Sequence, residues 1–362
     1  MHNLPEEADG VLGRSLFLRL AALIVAAAPV AARAADGTVR NGLEDQLVAD
    51  AADGRLEQFT LLEAALVASG ADSRDDLAAY VRRWAQHRQR LAEQLPDGAS
   101  LRTQALLTLR FLHHHVLKGS YRADATAVHR TLDDGDYNCV SATILYRCLW
   151  PAGAAPLATI SEEHHVYCRL VAEPPTDIQT TSARGFPTAV DLDELTAAVA
   201  SREGPRTSRQ KPARTILDGQ LVAKVYYNRG ADLLVQGRFS DALRCLQISC
   251  RLDRDDPIAR RNTLACINNW ALAECDAGAY QHAAERLIRG IELAPDYRPF
   301  WDNDLYVHHR WVKELCRSGE YSRALQVLEA AYQRRPSAPL FADGRRAVSD
   351  LWQRSRADAP AP

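Results

Sequence analysis

The sequence has no excess of charge of either sign. Its 362 residues include 44 lysines and arginines against 46 aspartates and glutamates, which gives a formal net charge of −2. Proteins that bind nucleic acids or anionic membrane surfaces through charge carry a clear positive excess. We therefore expect neither a nucleic-acid partner nor electrostatic membrane binding. The length allows two or three domains.

The sequence also lacks an apolar run long enough to span a membrane comfortably, which takes about 20 residues. Its main apolar run, Leu20 to Val30, follows Arg14 and Arg19 and leads to Ala32-Arg33-Ala34. A basic start, a short apolar stretch and a small-x-small cleavage site are typical of a signal peptide. The pattern predicts a signal peptide over residues 1–34 and an exported protein, periplasmic or secreted, with no stable membrane span after cleavage. The alternative is a chain anchored by an uncleaved N-terminal segment.

Zinc-site spacings are missing as well. The sequence has no CxxC pair and no Cys/His spacing typical of zinc, and adjacent helical residues such as His113-His114-His115 face different directions and cannot hold one ion together. We expect no metal and no cofactor. Export would permit disulfides, but most cysteines fall at apolar positions of predicted helices and strands, which indicates packed thiols. The eight are Cys139, Cys148, Cys168, Cys245, Cys250, Cys266, Cys275 and Cys316.

A cysteine stands at the start of a predicted helix. A turn at residues 133–136 leads to Asn138, a favourable N-cap, and Cys139 falls in the first helical turn, with Val140 and Ile144 on the apolar stripe behind it. The partial positive charge of a helix N-terminus favours thiolate over thiol, and the thiolate is the nucleophile. Cys139 is thus a candidate nucleophile, although a lone helical cysteine is more often a small buried hydrophobic residue.

A histidine and two polar residues downstream could complete a site with this cysteine. Glu163 to Val171 alternates like a strand, with His165 on its polar face. A cysteine on a helix and a histidine on a following strand form the two-part arrangement of thiol hydrolases and acyl transferases. A third group must orient the imidazole, and Asp177 and Gln179 share one face of a short strand. The candidate catalytic residues are therefore Cys139, His165, Asp177 and Gln179.

These residues carry a resemblance to a known family. Asn138-Cys139-Val140-Ser141, then His165-Val166, then Asp177-Ile178-Gln179-Thr180-Thr181 resembles the transglutaminase-like superfamily, which has a papain-like Cys-His-Asp core. More narrowly, the chain is similar to a bacterial branch with C-terminal tetratricopeptide repeats. In that family an acidic residue often precedes the Thr-Thr pair, where this chain has Gln179, so Asp177 is the alternative third residue.

The C-terminal third repeats itself every 41 residues (278 − 237 and 319 − 278). The repeated order Gly-x-aromatic-x-x-Ala is similar to the turn and second helix of a tetratricopeptide repeat, in which glycine ends the first helix and alanine lets the two helices approach. We predict three helix pairs and one capping helix over Leu221 to Trp352. The recurring residues are Gly237, Gly278 and Gly319; Phe239, Tyr280 and Tyr321; and Ala242, Ala283 and Ala324.

The predicted fold class is α+β. A helical N-terminal region packs on a papain-like, transglutaminase-like core, and an all-α tetratricopeptide-type repeat domain follows. Strands are expected at residues 157–160, 164–171 and 177–181, a short strand or a turn at 188–190, and a helix at 191–200. The expected organisation is a signal peptide over 1–34, a transglutaminase-like domain over 35–200 (helical part 37–120, α+β core 121–200), a linker over 201–219, repeats and capping helix over 220–356, and a disordered tail over 357–362.

Two functions follow from this interpretation. The first is an exported cysteine hydrolase or acyl transferase, of peptidase or amidase type, coupled to a repeat module that binds a protein or peptide partner in its groove. The second is a non-catalytic binding scaffold, in which a degenerate papain-like domain is retained beside partner-binding helical repeats. The intact Cys139–His165 pair favours the first function. The missing acidic residue before the Thr-Thr pair and the large repeat module favour the second.

Overall fold

A computed structural model describes residues 42–151, 156–186 and 213–357. Within these ranges the chain forms thirteen helices and four strands. Several predicted features lie outside the described residues: the signal peptide, the short strand or turn at 188–190, the helix at 191–200, most of the linker and nearly all of the tail.

Six helices precede the sheet, and polar N-caps fix where several of them begin. Thr60 forms a capping box with Glu63, whose carboxylate accepts the Thr60 N–H at 2.9 Å, and Ser73 and Ser100 cap the next two helices. Leu56 to Phe59 are not helical, and the helix begins only after the Thr60 cap. The helices are α1 (Gly42–Asp50), α2 (Leu61–Ala68), α3 (Arg74–Gln94), α4 (Leu101–His115), α5 (Val128–Asp134) and α6 (Cys139–Leu149).

The sheet has four strands in the order β3-β2-β1-β4, and every neighbouring pair is antiparallel. Sequence periodicity predicted the first three strands but missed β4, which lies inside the predicted linker and pairs with the middle strand β1. The Arg214 side chain at the start of β4 bonds to buried Asp253 at 3.0 Å. The strands are β1 (Leu157–Ser161), β2 (Val166–Leu170), β3 (Thr176–Ile178) and β4 (Arg214–Ile216).

Three helical hairpins and a final helix follow the sheet. Gly237, Gly278 and Gly319 lie in the three hairpin turns with φ of 71°, 77° and 76°, a conformation that favours glycine because it has no Cβ. The alanines of the register are fully buried between the paired helices. The helices are α7 (Asp218–Val235), α8 (Phe239–Leu252), α9 (Pro257–Asp276), α10 (Tyr280–Leu293), α11 (Arg298–Arg317), α12 (Tyr321–Arg334) and α13 (Pro339–Ala357).

The hydrophobic core does not divide where the sequence predicted a domain boundary. One cluster of buried side chains joins the N-terminal helices, the sheet and the first hairpin, with Leu47, Ile144, Ile178, Tyr226 and Leu246 among its members. The second and third hairpins have smaller clusters of their own. The described residues belong to one compact unit.

The predicted fold class is therefore wrong. The described chain is mostly helical with one small sheet, and it is not a papain-like α+β core followed by a separate repeat domain. The reason is physical: the apolar face of α7 is covered by α2 and α6. The first hairpin therefore completes the N-terminal core instead of beginning an independent domain.

Replacing Ala283 with leucine tests the repeat register. Ala283 is fully buried at the contact of α10 with its neighbours, so three extra carbons must displace packed side chains. We expect the free energy of unfolding to fall by about 1–3 kcal/mol, measured by urea denaturation. Ala347→Leu on the exposed side of α13 is the control. Equal stability of the two variants would contradict the register.

Candidate functional site

The helix that carries the candidate nucleophile begins at Cys139, and its start is fixed by a reciprocal cap. The Asn138 side-chain oxygen accepts the N–H groups of Val140 at 2.9 Å and Ser141 at 3.1 Å. The Ser141 hydroxyl accepts the Asn138 N–H at 3.0 Å and donates to the Ala125 carbonyl at 2.9 Å. Asn138 and Ser141 are both buried. The first turn of α6 is therefore held rigidly, with partly exposed Cys139 at its tip.

The cap leaves the first N–H group of the helix free. The Asn138 side chain takes the second and third N–H groups, and no acceptor in the described part of the chain pairs with the Cys139 N–H. The N–H groups of a helix's first turn have no partner within the helix and concentrate its partial positive charge. The Cys139 N–H can therefore donate to a negative oxygen next to the sulfur.

Buried threonines tie this helix to the strand that follows the histidine. The Thr143 hydroxyl donates to the Val166 carbonyl at 3.2 Å and shares a hydrogen bond of 2.8 Å with the Thr180 hydroxyl. Val166 directly follows His165, and Thr180 directly follows Gln179. These two bonds therefore set the position of the Cys139 helix relative to His165 and Gln179. Sequence reasoning did not identify Thr143, which looks like an ordinary polar residue in a helical pattern.

The structure brings Cys139, His165 and Gln179 together. The His165 ring lies beside the Cys139 side chain, which is the largest influence on the pKa of the ring, and its Nε2 lies 2.7 Å from Gln179 Oε1. Because an amide oxygen only accepts, Nε2 carries the hydrogen, and Nδ1 is the ring nitrogen left to face the thiol. The neighbouring Cys139 side chain raises the pKa of His165, burial lowers it, and the bond to Gln179 raises it again, with a net shift upward.

Asp177 is paired with Arg169 and not with the His165 ring. Its carboxylate makes two hydrogen bonds to the Arg169 guanidinium, at 2.5 and 2.9 Å, and the two residues face each other across β2 and β3. Gln179 lies beyond the end of β3, where its N–H donates to the Gly185 carbonyl at 2.7 Å. Of the two candidates for the third position, the structure places Gln179 against the imidazole and Asp177 in a half-exposed ion pair.

We expect Gln179→Ala to slow alkylation of Cys139 near neutral pH by roughly tenfold, because a hydrogen bond to a group that becomes charged is lost. Asp177→Asn should change the rate little, since it disturbs only the partner of Arg169. The measurement is iodoacetamide labelling followed by mass spectrometry of the Cys139 peptide. A larger effect of Asp177→Asn would reverse the assignment.

Cys139 and His165 line a cleft of about 170 Å³. One wall is the loop between β1 and β2, which includes Glu162 and His164, and the other is formed by the first hairpin and the start of α9. A volume of this size is comparable to one amino-acid side chain. The repeat pattern in the sequence did not predict that the first hairpin would line the cleft. The residues of this second wall are Lys224, Tyr227, Asn228, Asp256 and Ile258.

Three of the other cysteines have thiols whose pKa lies well above the ordinary value. All eight are free thiols, but burial raises the pKa of Cys148 and of Cys168 to about 12 and that of Cys266 to about 11. A thiol with so high a pKa is inert at neutral pH.

Among the described residues, no group of three His, Cys, Asp or Glu side chains is arranged to hold a metal ion. The described helices include none that is both long and apolar enough to cross a bilayer.

Comparisons with known proteins correct the predicted family. No family model matches this chain, and no curated protein matches it. Among solved structures, a crystal structure of menin, described as revealing the binding site for the Mixed Lineage Leukemia protein, matches with 14% identity and a TM-score of 0.42 over 80% of this chain and 67% of that one. A similarity at this TM-score carries no information about the function of this chain. The predicted membership of the transglutaminase-like superfamily with tetratricopeptide repeats is wrong on these findings.

Proposed function

We propose that this protein is a thiol hydrolase or acyl transferase of peptidase or amidase type. The observation that supports it is the contact of Cys139, at a capped helix N-terminus, with His165, whose far nitrogen bonds to Gln179. This arrangement requires three separate segments of the chain to meet, and two of them, at Cys139 and His165, line one cleft. Each segment contributes the residue type that nucleophilic catalysis needs.

The reaction begins with proton transfer from the Cys139 thiol to His165 Nδ1. The thiolate attacks the substrate carbonyl carbon, and the Cys139 N–H donates to the oxygen that becomes negative. As the carbon–nitrogen bond breaks, the imidazolium returns its proton to the leaving amine, and a thioester remains on Cys139. Water or a second amine then attacks the thioester, with His165 accepting its proton, and the thiol is restored. Gln179 keeps the ring in place throughout but adds no negative charge.

Selective alkylation tests the proposal. Limiting iodoacetamide at about pH 6.5 should label Cys139 at least tenfold faster than Cys250 or Cys316, which are also partly exposed but have no histidine partner in the described chain. Labelling should also abolish release of amine from peptide amides. If Cys139 reacts no faster than Cys250, the catalytic function is wrong.

A non-catalytic scaffold is the second candidate, and one observation favours it. The group that holds His165 is a neutral amide, and a carboxylate would stabilise the imidazolium more strongly. In that case the cleft binds a partner without reaction. A folded protein that binds a peptide with an unreactive Cys139 would establish this function.

We propose a protein or peptide partner on the repeat helices. Tyr306 of α11 is 46% exposed, the Arg310 guanidinium lies 5.7 Å from its ring, and Arg335 lies 4.8 Å from the ring of Trp301 on the same helix. Aromatic and arginine side chains are enriched at protein interfaces. Tyr306→Ala should weaken partner co-purification, whereas Ala347→Leu on α13 should not; equal recovery would argue against this surface.

Export is also proposed, on the apolar run Leu20 to Val30 and the following Ala32-Arg33-Ala34. We expect the mature chain to begin near Ala35. Intact-mass measurement of the protein from its native compartment checks this expectation. A chain that retains the apolar run would instead be anchored by it.

A further inference from the structure

The first repeat hairpin is linked by hydrogen bonds to Asn138, the residue that caps the Cys139 helix. The Asn228 side-chain amide, on α7, donates to the Thr126 hydroxyl oxygen at 2.9 Å. The same oxygen accepts a second hydrogen bond, of 2.5 Å, from the Asn138 side-chain amide. Thr126 and Asn138 are 3% and 2% exposed, so solvent cannot readily replace either bond. Asn228 and Asn138 therefore meet at one buried hydroxyl.

The Asn138 side chain is fixed by hydrogen bonds at both its amide nitrogen and its amide oxygen. Its amide nitrogen donates to Thr126 and to the Ala123 carbonyl at 3.0 Å, and its oxygen accepts from the first turn of α6. Every hydrogen-bonding capacity of the side chain in this cap is used. A shift of the Thr126 hydroxyl must therefore rotate the amide and loosen the N–H groups that it holds around Cys139.

We propose that Asn228 is a positioning residue for Cys139, acting through Thr126 and Asn138. This inference rests on the proposed function only in taking Cys139 as the reactive thiol. Asn228 also lines the cleft, and its amide oxygen faces no partner within the described residues, so it can accept a hydrogen bond from the substrate. The first repeat thus both forms a wall of the site and orients its nucleophile.

Three single variants test the hydrogen-bonded chain. Asn228→Ala and Thr126→Val each remove one link, and Thr126→Ser retains the hydroxyl. Alkylation of Cys139 by iodoacetamide is followed from about pH 5.5 to 9. We expect the first two variants to lower the rate on the acidic side by roughly two- to fivefold, the range that helix-terminus electrostatics covers. Thr126→Ser should stay close to wild type.

The matched control is Asn268→Ala in the second hairpin. Asn268 is a buried amide that accepts a bond of 2.7 Å from Asn303, so its loss destabilises the repeats without touching the cap. Its pH profile should match wild type. A profile shifted as in Asn228→Ala would mean that general loss of stability, rather than positioning, changes the thiol, and the proposal would be wrong.

The double variant Asn228→Ala/Thr126→Val tests whether the two residues affect Cys139 through the same hydrogen bonds or independently of each other. Residues that act through one hydroxyl are non-additive, so the double variant should slow alkylation no more than Thr126→Val alone. Multiplied effects, or an unchanged profile in Asn228→Ala, would overturn the positioning role. In both cases a wild-type Cys139 that reacts faster than Cys250 leaves the proposed catalytic function standing.

Discussion

Replacing His165 with glutamine should slow alkylation of Cys139 at about pH 6 by tenfold or more. The raised pKa of His165 keeps the ring charged to a higher pH than an isolated histidine, and a charged imidazole beside a thiol favours the reactive thiolate. Without the ring, only the helix N-terminus favours the thiolate. An ordinary thiol is well under one per cent ionised at about pH 6. The difference should disappear above about pH 9.

His114→Gln is the matched control for this variant. His114 is exposed on α4, so His114→Gln makes the same chemical change away from the cleft. The rate of Cys139 alkylation in this variant should equal that of wild type at every pH. Circular dichroism checks that both variants fold. A His165→Gln protein that folds and reacts like wild type at about pH 6 would refute the Cys139–His165 pair.

Replacing Asp256 with alanine should destabilise the protein by about 3–5 kcal/mol, as expected when one partner of a buried ion pair is removed. The Asp256 carboxylate bonds to Lys224 Nζ at 2.6 Å and caps α9 by accepting the N–H groups of Ile258 and Ala259. Both charged side chains are largely buried. The loss would leave the Lys224 ammonium unpaired in the wall of the cleft.

Asparagine at this position separates the two roles of Asp256. Asparagine is a good N-cap but carries no charge, so Asp256→Asn should retain the cap and lose only the ion pair. Its destabilisation, measured by urea unfolding, should be smaller than that of the alanine variant by about 1 kcal/mol. Equal losses would mean that the cap contributes nothing.

The pH dependence of the Asp256 contribution has a defined sign. Burial raises the pKa of Asp256, but Lys224 and the two N–H groups outweigh it, so the pKa lies below its ordinary value. A carboxylate whose pKa is lower in the folded state stabilises the fold above its unfolded pKa, near 3.9, and loses that contribution as the pH falls through the folded pKa. The stability gap between wild type and Asp256→Asn should therefore narrow below about pH 4.

Local sequence signals determined the elements that depend only on neighbouring residues. The Asn138 cap, the start of α6 at Cys139 and the strand after His165 follow from short patterns that the backbone satisfies by itself. The 41-residue glycine register located the three hairpin turns, because a positive φ is favoured at glycine wherever it occurs.

Only the tertiary structure decided what these elements pack against. β4 lies in a polar stretch without strand periodicity, and it forms because β1 offers a free edge to it. Asp177 and Gln179 are equivalent by alternation, but Arg169 on the neighbouring strand takes the carboxylate and leaves the amide for His165. The first hairpin joins the N-terminal core because α2 and α6 cover its apolar face. Contacts between residues so distant in the sequence depend on three-dimensional packing. Such packing produces no short-range periodicity from which the contacts could be predicted.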